Sequence, residues 1–429
     1  MVPFTIIQSK LKMLSIIKLN TSNNGYLSII TFFVQCNEII KYQYKLTKHR
    51  HTGGQFFQNA INKVLNFFSF NFSNISQNIC AYTGINTVEK FLLKILFLFA
   101  ISVWLLLFCC YVFGIAHLKT FTGRKSYKKL LYLFAIVGFM EAVRYCYSSL
   151  SATTFVMLKC QEIDKQNVWY YDATVTCNTW WQWSFTVFSI MYIIPFPLIF
   201  IVGPWALSHC KISAKEFIAG IFCPLPILLR WLVIFLMTNY SQHDFVRSLC
   251  DKYFCFVKKK NISKKGVAKN NENIGISKEI ILNVTGPFSY QYWEGVIELR
   301  KLVLSLSVFI SNVQIQLLFV SLFCSLMFIH QITAKPFKEK LSNHAESMSL
   351  YLLLIFSVIN YCKALLSEYD FELKSHGAQA VELMEVVEEY SLVLLLLFII
   401  LDRSRCECLH FKKLWQERKR KKRNILTIH

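Results

Sequence analysis

Phe91–His117 reads FLLKILFLFAISVWLLLFCCYVFGIAH, with Lys94 as its only charged side chain. About 20 apolar residues of helix are needed to cross a hydrocarbon core of about 30 Å. A run of this length and composition is therefore a membrane span, and it sets the template for the rest of the chain.

Seven further stretches fit the template to different degrees: Leu130–Met157, Trp181–Leu207, Phe217–Thr238, Tyr292–Ser311, Ile315–Thr333, Ala345–Leu366 and Tyr390–Leu401. The last is short and borrows from the segment before it. Composition agrees. Of 429 residues 54% are hydrophobic and 17% charged, and mean hydropathy is +0.39. Soluble domains carry about 25% charged residues. The expected fold is an all-α polytopic bundle, which excludes a disordered chain and argues against an ordinary soluble enzyme. The 47 Lys and Arg against 25 Asp and Glu leave a net charge of +22. These basic residues alternate with long apolar runs, so they report membrane orientation rather than a nucleic-acid partner.

Lys119, Arg124, Lys125, Lys128 and Lys129 place the loop after the first span in the cytoplasm. The loop between the second and third spans mixes Lys159 and Lys165 with Glu162, Asp164 and Asp172, and reads as outside. Lys335, Lys338 and Lys340 bring the chain back inside. Seven acids from Glu368 to Glu389 put the next connection outside, and the basic tail Arg418–Arg423 is inside. An outside N-terminus and an inside C-terminus require an odd number of crossings. Phe217–Thr238 is the weakest candidate, because Pro224, Pro226 and Arg230 lie within it. It is expected to be re-entrant or interfacial, which leaves seven crossings.

The expected segments are an extracytoplasmic 1–90, three spans over 91–207, a basic cytoplasmic 208–289 holding the re-entrant 217–238, four spans over 290–402, and a cytoplasmic tail 403–429. Met1–Asn20 scatters lysines and lacks a small-residue cleavage site, so it does not read as a signal peptide. Asn71 and Asn74 head glycosylation acceptor patterns. Cys160 and Cys177 share the outer loop and are a disulfide candidate, with Cys80 a rival partner for either. Cys406 and Cys408 sit beside the basic tail in a lipidation context, with free thiols the plainer reading. The tail itself should attract anionic inner-leaflet lipid. Trp180, Trp181 and Trp183 at one end of the third span and Trp205 at the other are interfacial anchors.

No phosphate-binding loop, His-Glu-x-x-His or Gly-x-Ser-x-Gly pattern is present, and no metal-ligand set. Neither an enzyme nor a cofactor is expected. The informative residues are charges within the spans, which default to functional roles. Glu141 and Arg144 are three apart on one helix face and can pair. Glu294, Glu298 and Lys301 form one stripe, with Arg300 offset, and Glu346 opens the seventh span. Glu298 is the best candidate for a cation pathway. Pro195 and Pro197 predict a bend in the third span.

Ser289-Tyr-Gln-Tyr-Trp-Glu294 followed by Arg300-Lys301 resembles an element in the C-terminal membrane module of large, cysteine-rich ciliate and other protist surface proteins, described as TRP-like (transient receptor potential-like). Lys335-Pro-Phe337, Asn343 and Glu346-Ser-Met-Ser-Leu350 resemble the module's next cytoplasmic signature, and Asn78-Ile-Cys-Ala-Tyr-Thr-Gly84 with Lys90 the segment leading into it. The Cys160…Asp172…Cys177 loop fits the same pattern. The resemblance covers about residues 66–402, with the ectodomain of such proteins largely missing. It implies a cation-channel-related protein that works as a homo-oligomer. The alternative is a seven-span receptor or surface anchor without transport.

Overall fold

The computed structural model describes residues 125–208, 212–239 and 288–368, with short pieces within 29–40, 88–96 and 395–401. Apart from those short pieces, the first and eighth predicted spans lie outside the described residues, as do Asn71, Asn74, Cys406, Cys408 and the basic tail. The chain divides into two compact units. The first holds 66–312 and the second 313–429, each with a piece of the N-terminal region.

The first unit opens with α1, Lys125–Leu158, which contains the second predicted span. Three strands follow: β1 Cys160–Ile163, β2 Gln166–Trp169 and β3 Asp172–Thr176. They form an antiparallel meander in the order β1-β2-β3. The described residues are mostly helical, as expected, and this small sheet is an addition to that expectation. The loop carries a hairpin code that the charge argument passed over. Asp164 and Lys165 both take positive φ, at 49° and 65°, as a two-residue turn between right-twisted strands requires. Cys160 and Cys177 are disulfide-bonded, with Cα atoms 6.4 Å apart, so the bond staples the first strand to the end of the third.

The third predicted span is one continuous helical rod, Trp180–Ser208, long and apolar enough to cross a membrane. It comprises α2 Trp180–Phe188, a π-helical turn Ser189–Ile193 and α3 Phe196–Ser208. The wide turn lies immediately before Pro195 and Pro197, the prolines that predicted a bend. Proline lacks an amide hydrogen and its ring crowds the preceding turn. Two shorter helices follow, α4 Ala214–Phe222 and α5 Pro224–Asn239. Ser213 and Glu216 form a capping box that starts α4, and Pro224 enforces the break between the two. The fourth predicted span is therefore a broken pair.

Helix α6 spans Trp293–Leu306 and runs into a 3₁₀ turn, Ser307–Phe309. At about 1.5 Å per residue it is only about 21 Å long. It carries Glu294, Glu298, Arg300 and Lys301, so it is too short and too charged to count as a crossing by composition alone. The core of this unit gathers α1, the Trp180–Ser208 rod and α4 around Tyr147, Phe196, Phe200 and Phe217, all less than 2% exposed.

The second unit is built on α7 Val313–Ala334 and α8 Lys340–Glu368, the sixth and seventh predicted spans. Both are long and apolar enough to cross a membrane, α8 over Lys340–Leu365. Asn343 closes their turn. Its side chain accepts from the Phe337 amide at 2.9 Å and donates to the Phe337 carbonyl at 2.7 Å. Among the described residues, three helices thus meet the length and composition of a crossing.

Candidate functional site

Helix α1 runs parallel to α6. Arg144 meets Glu294 and Glu298, Ser151 lies 3.2 Å from Ser305, and Phe155 packs edge-on to Phe309. The residue numbers rise together on both helices. The rod runs the other way. Tyr147 donates to the Ile193 carbonyl at 2.9 Å and stacks on Phe196, while Arg144 lies over the Phe200 ring at 5.7 Å. Ser208 at the end of α3 contacts Gln291 just before α6 at 3.2 Å. The residues between α3 and α6 therefore leave from and return to one end of this unit.

Where α1, α3 and α6 converge lies a cluster of charges. The Arg144 guanidinium pairs with Glu294, and its Nε lies 3.5 Å from Glu298 Oε1. Lys301 Nζ donates to both Glu298 oxygens, at 3.0 and 3.2 Å. Glu298 is fully buried, and Arg144, Glu294 and Lys301 are 8%, 3% and 4% exposed. Two cations and two carboxylates cancel. Arg300, the offset charge of the stripe, lies over the Trp293 ring at 5.1 Å. The i, i+3 and i+4 spacing on α6 puts the three ionic residues on one face. What the sequence could not give is the partner. Arg144 can pair with Glu141 by spacing, but the Glu141 side chain lies outside the described residues; the described partners of Arg144 come from α6, some 150 positions away. Nothing local in the sequence marks a parallel contact of that separation.

The close approach that makes the cluster possible rests on Gly295. A Cβ there would lie 2.5 Å from the Ile201 amide nitrogen and 2.7 Å from the Phe200 carbonyl carbon. Those are backbone atoms of α3 and cannot swing aside. A small residue at a helix crossing brings backbones together in this way.

The meander caps the C-terminal end of α1, away from Ser208 and Gln291. Trp169 is fully buried, donates from its indole to the Val156 carbonyl at 3.1 Å and meets Trp181 edge-on. Gln182 donates to both disulfide sulfurs, at 3.3 and 3.4 Å. Lys159 lies under the Tyr170 ring, 4.0 Å from its centroid, and reaches the Ile310 carbonyl at 3.5 Å. Burial pushes its ammonium pKa down.

In the second unit, α8 buries Ser342, Glu346, Ser349, Leu353, Phe356, Asn360 and Lys363. The alternating steps of four and three are those of a helix seam. Helix α7 buries Gln316, Val320, Cys324, Met327 and Gln331, and exposes Ile315, Leu322, Leu326 and Ile329. Polar inside and apolar outside is the pattern of a helix facing lipid. Lys363 lies on the seam and is only 2% exposed. The seam glutamines and Asn360 carry no charge and do not stand out in the sequence as the ionic residues do. Their spacing in otherwise apolar runs was the available signal. No group of metal-ligating side chains occurs among the described residues.

Comparison with protein-family models, with curated proteins and with solved structures returns no match.

Proposed function

We propose that the chain is a multi-pass membrane protein of the cation-channel-related, TRP-like class, in which the Arg144–Glu294–Glu298–Lys301 network works as a lock between helices. The observation that carries this reading is the network itself, a neutral set of four buried charges where three helices meet. Intramembrane charges are expensive and are kept where they do something. Because Lys301 and Arg144 already occupy the Glu298 carboxylate, it acts as a latch on α6 rather than as an open cation-binding ring. Acids of the connection Glu368–Glu389 would then concentrate cations at the outer mouth.

The seven-crossing topology belongs to the same proposal, with the N-terminus outside and the C-terminus in the cytoplasm. It is supported by the antiparallel run of α3 and α6 and by the shared end of Ser208 and Gln291. On this reading Ser208 and Gln291 lie on one side of the membrane, as a re-entrant or interfacial α4–α5 pair requires. The basic tail would hold anionic lipid of the inner leaflet.

The test is cation flux into proteoliposomes, read beside oligomeric mass in lipid discs. A conducting oligomer whose opening, but not ion preference, changes in Glu298→Gln supports the lock. A tight vesicle and a stable monomer overturn conduction. The receptor or anchor reading then takes its place, favoured by the same observation that Glu298 has no free carboxylate oxygen.

A further inference from the structure

A groove of about 1480 Å³ runs along one flank of the first unit. One wall is the outer stripe of the rod, including Ile194, Leu198 and Val202; the other is α5, including Leu228, Leu229 and Leu232. Ile194, Leu198 and Val202 are 45%, 41% and 37% exposed, so the groove opens sideways along a helix long enough to cross a bilayer. Its polar lining is concentrated at one end, in Ser289, Tyr290, Gln291 and Tyr292, with Trp205 beside them. That is the end where Ser208 meets Gln291. Among the described residues, no lining residue is Asp, Glu, Lys or Arg. Trp231 also lines the groove, and its buried indole N–H has no hydrogen-bond partner among the described residues.

These features select an occupant. Sites for drug-sized ligands measure about 300–1,000 Å³, and this groove exceeds that range. Apolar walls with one polar, aromatic end suit an amphiphile aligned with the bilayer normal, since Trp and Tyr sit at the headgroup level. Hydroxyl, amide and indole donors call for acceptors such as ester and phosphate oxygens. We propose that the groove is a binding site for one glycerophospholipid, with acyl chain between the rod and α5 and its ester–phosphate region at Ser289–Tyr292. The neutral rim reads the ester and phosphate, not the net charge of the headgroup. This rests on the reading of Trp180–Ser208 as a membrane crossing.

The test uses the full chain purified in mild detergent. Native mass spectrometry follows exchange with phosphatidylcholine or with phosphatidylglycerol of the same acyl chains. One retained lipid per chain is expected, with the two headgroups bound within about twofold of each other. Val202→Trp, which fills the groove, should lower retention about tenfold, while Leu326→Trp on the exposed face of α7 should not. A diazirine placed in the acyl chain of phosphatidylcholine should crosslink α3 and α5 in the unaltered protein, which keeps the proposal testable if Val202→Trp does not fold. No retained lipid, crosslinks spread evenly over the apolar surface, or a change of oligomeric mass in Val202→Trp would each overturn it, the last in favour of a second copy as occupant. Carbonate extraction separates the two levels: a protein released from membranes fails the crossing itself, whereas an integrated protein that keeps no lipid fails only this site.

Discussion

The contact between α1 and α6 and the contact between α7 and α8 solve one problem in two ways. Helices in lipid gain little from hydrophobic burial against each other, so packing and polar contacts must hold them together. The first pair uses a compact knot of full charges, Arg144, Glu294, Glu298 and Lys301. The second spreads polar groups along a seam, from Gln316 and Gln331 on α7 to Ser349, Ser357 and Asn360 on α8, with its buried charges Glu346 and Lys363 set 17 positions apart on α8. The charged knot lets a 14-residue helix sit inside a bundle of longer ones, because each charge is met by another. The seam belongs to helices of 22 and 29 residues, whose outer faces already suit lipid. A knot fails when one member is lost; a seam degrades gradually.

The sharpest way to break that contrast is Arg144→Met. It leaves two buried carboxylates facing one lysine. Removing one partner of a buried pair costs about 3–5 kcal/mol, so the melting transition in detergent should fall steeply or the folded peak vanish from gel filtration. Replacing Arg144, Glu294, Glu298 and Lys301 together by apolar residues of similar volume should recover much of the loss; if it costs as much as Arg144→Met alone, the knot is not a coupled unit. Next comes the disulfide. Cys160→Ser should cost about 3 kcal/mol for a loop of this length, read as a melting shift that reductant reproduces in the parent protein. Gly295→Ala follows at about 1–3 kcal/mol of overpacking, because its new methyl meets α3 backbone; an unchanged melting temperature would mean that the two helices are not in close contact. On the seam, Gln331→Leu should be neutral or stabilising, since the fully buried Gln331 amide has no hydrogen-bond partner among the described residues.

The smallest effect is a pH dependence from Lys159. Its pKa is lowered in the fold, so the unfolded chain binds more protons between that value and the ordinary lysine range near about 10.4. Stability should therefore rise with pH through this alkaline window, and the full penalty of the buried ammonium stands below it. Lys159→Met should flatten the rise, as seen in melts taken across alkaline pH.

The groove between the rod and α5 was not legible in the sequence, because it depends on the break before Pro224 folding one helix back beside another. The meander was half legible. Its disulfide was foreseen as a candidate, but short strands with alternating exposure give a weak signal beside spans of 20 residues or more. The rod was legible in its length and hydropathy, and the prolines that predicted a bend mark the place of its wide turn Ser189–Ile193, since these properties act locally.

Composition and the period of apolar runs determined that this is a helical protein with segments made to lie in lipid, since the cost of an unpaired backbone group in hydrocarbon leaves helices as the local solution. Which charges would meet was decided by the tertiary structure alone. Arg144 meets Glu294 and Glu298 on α6, some 150 positions away, because pairing of side chains depends on how helices cross, and the crossing is set by packing such as that at Gly295 rather than by spacing along the chain.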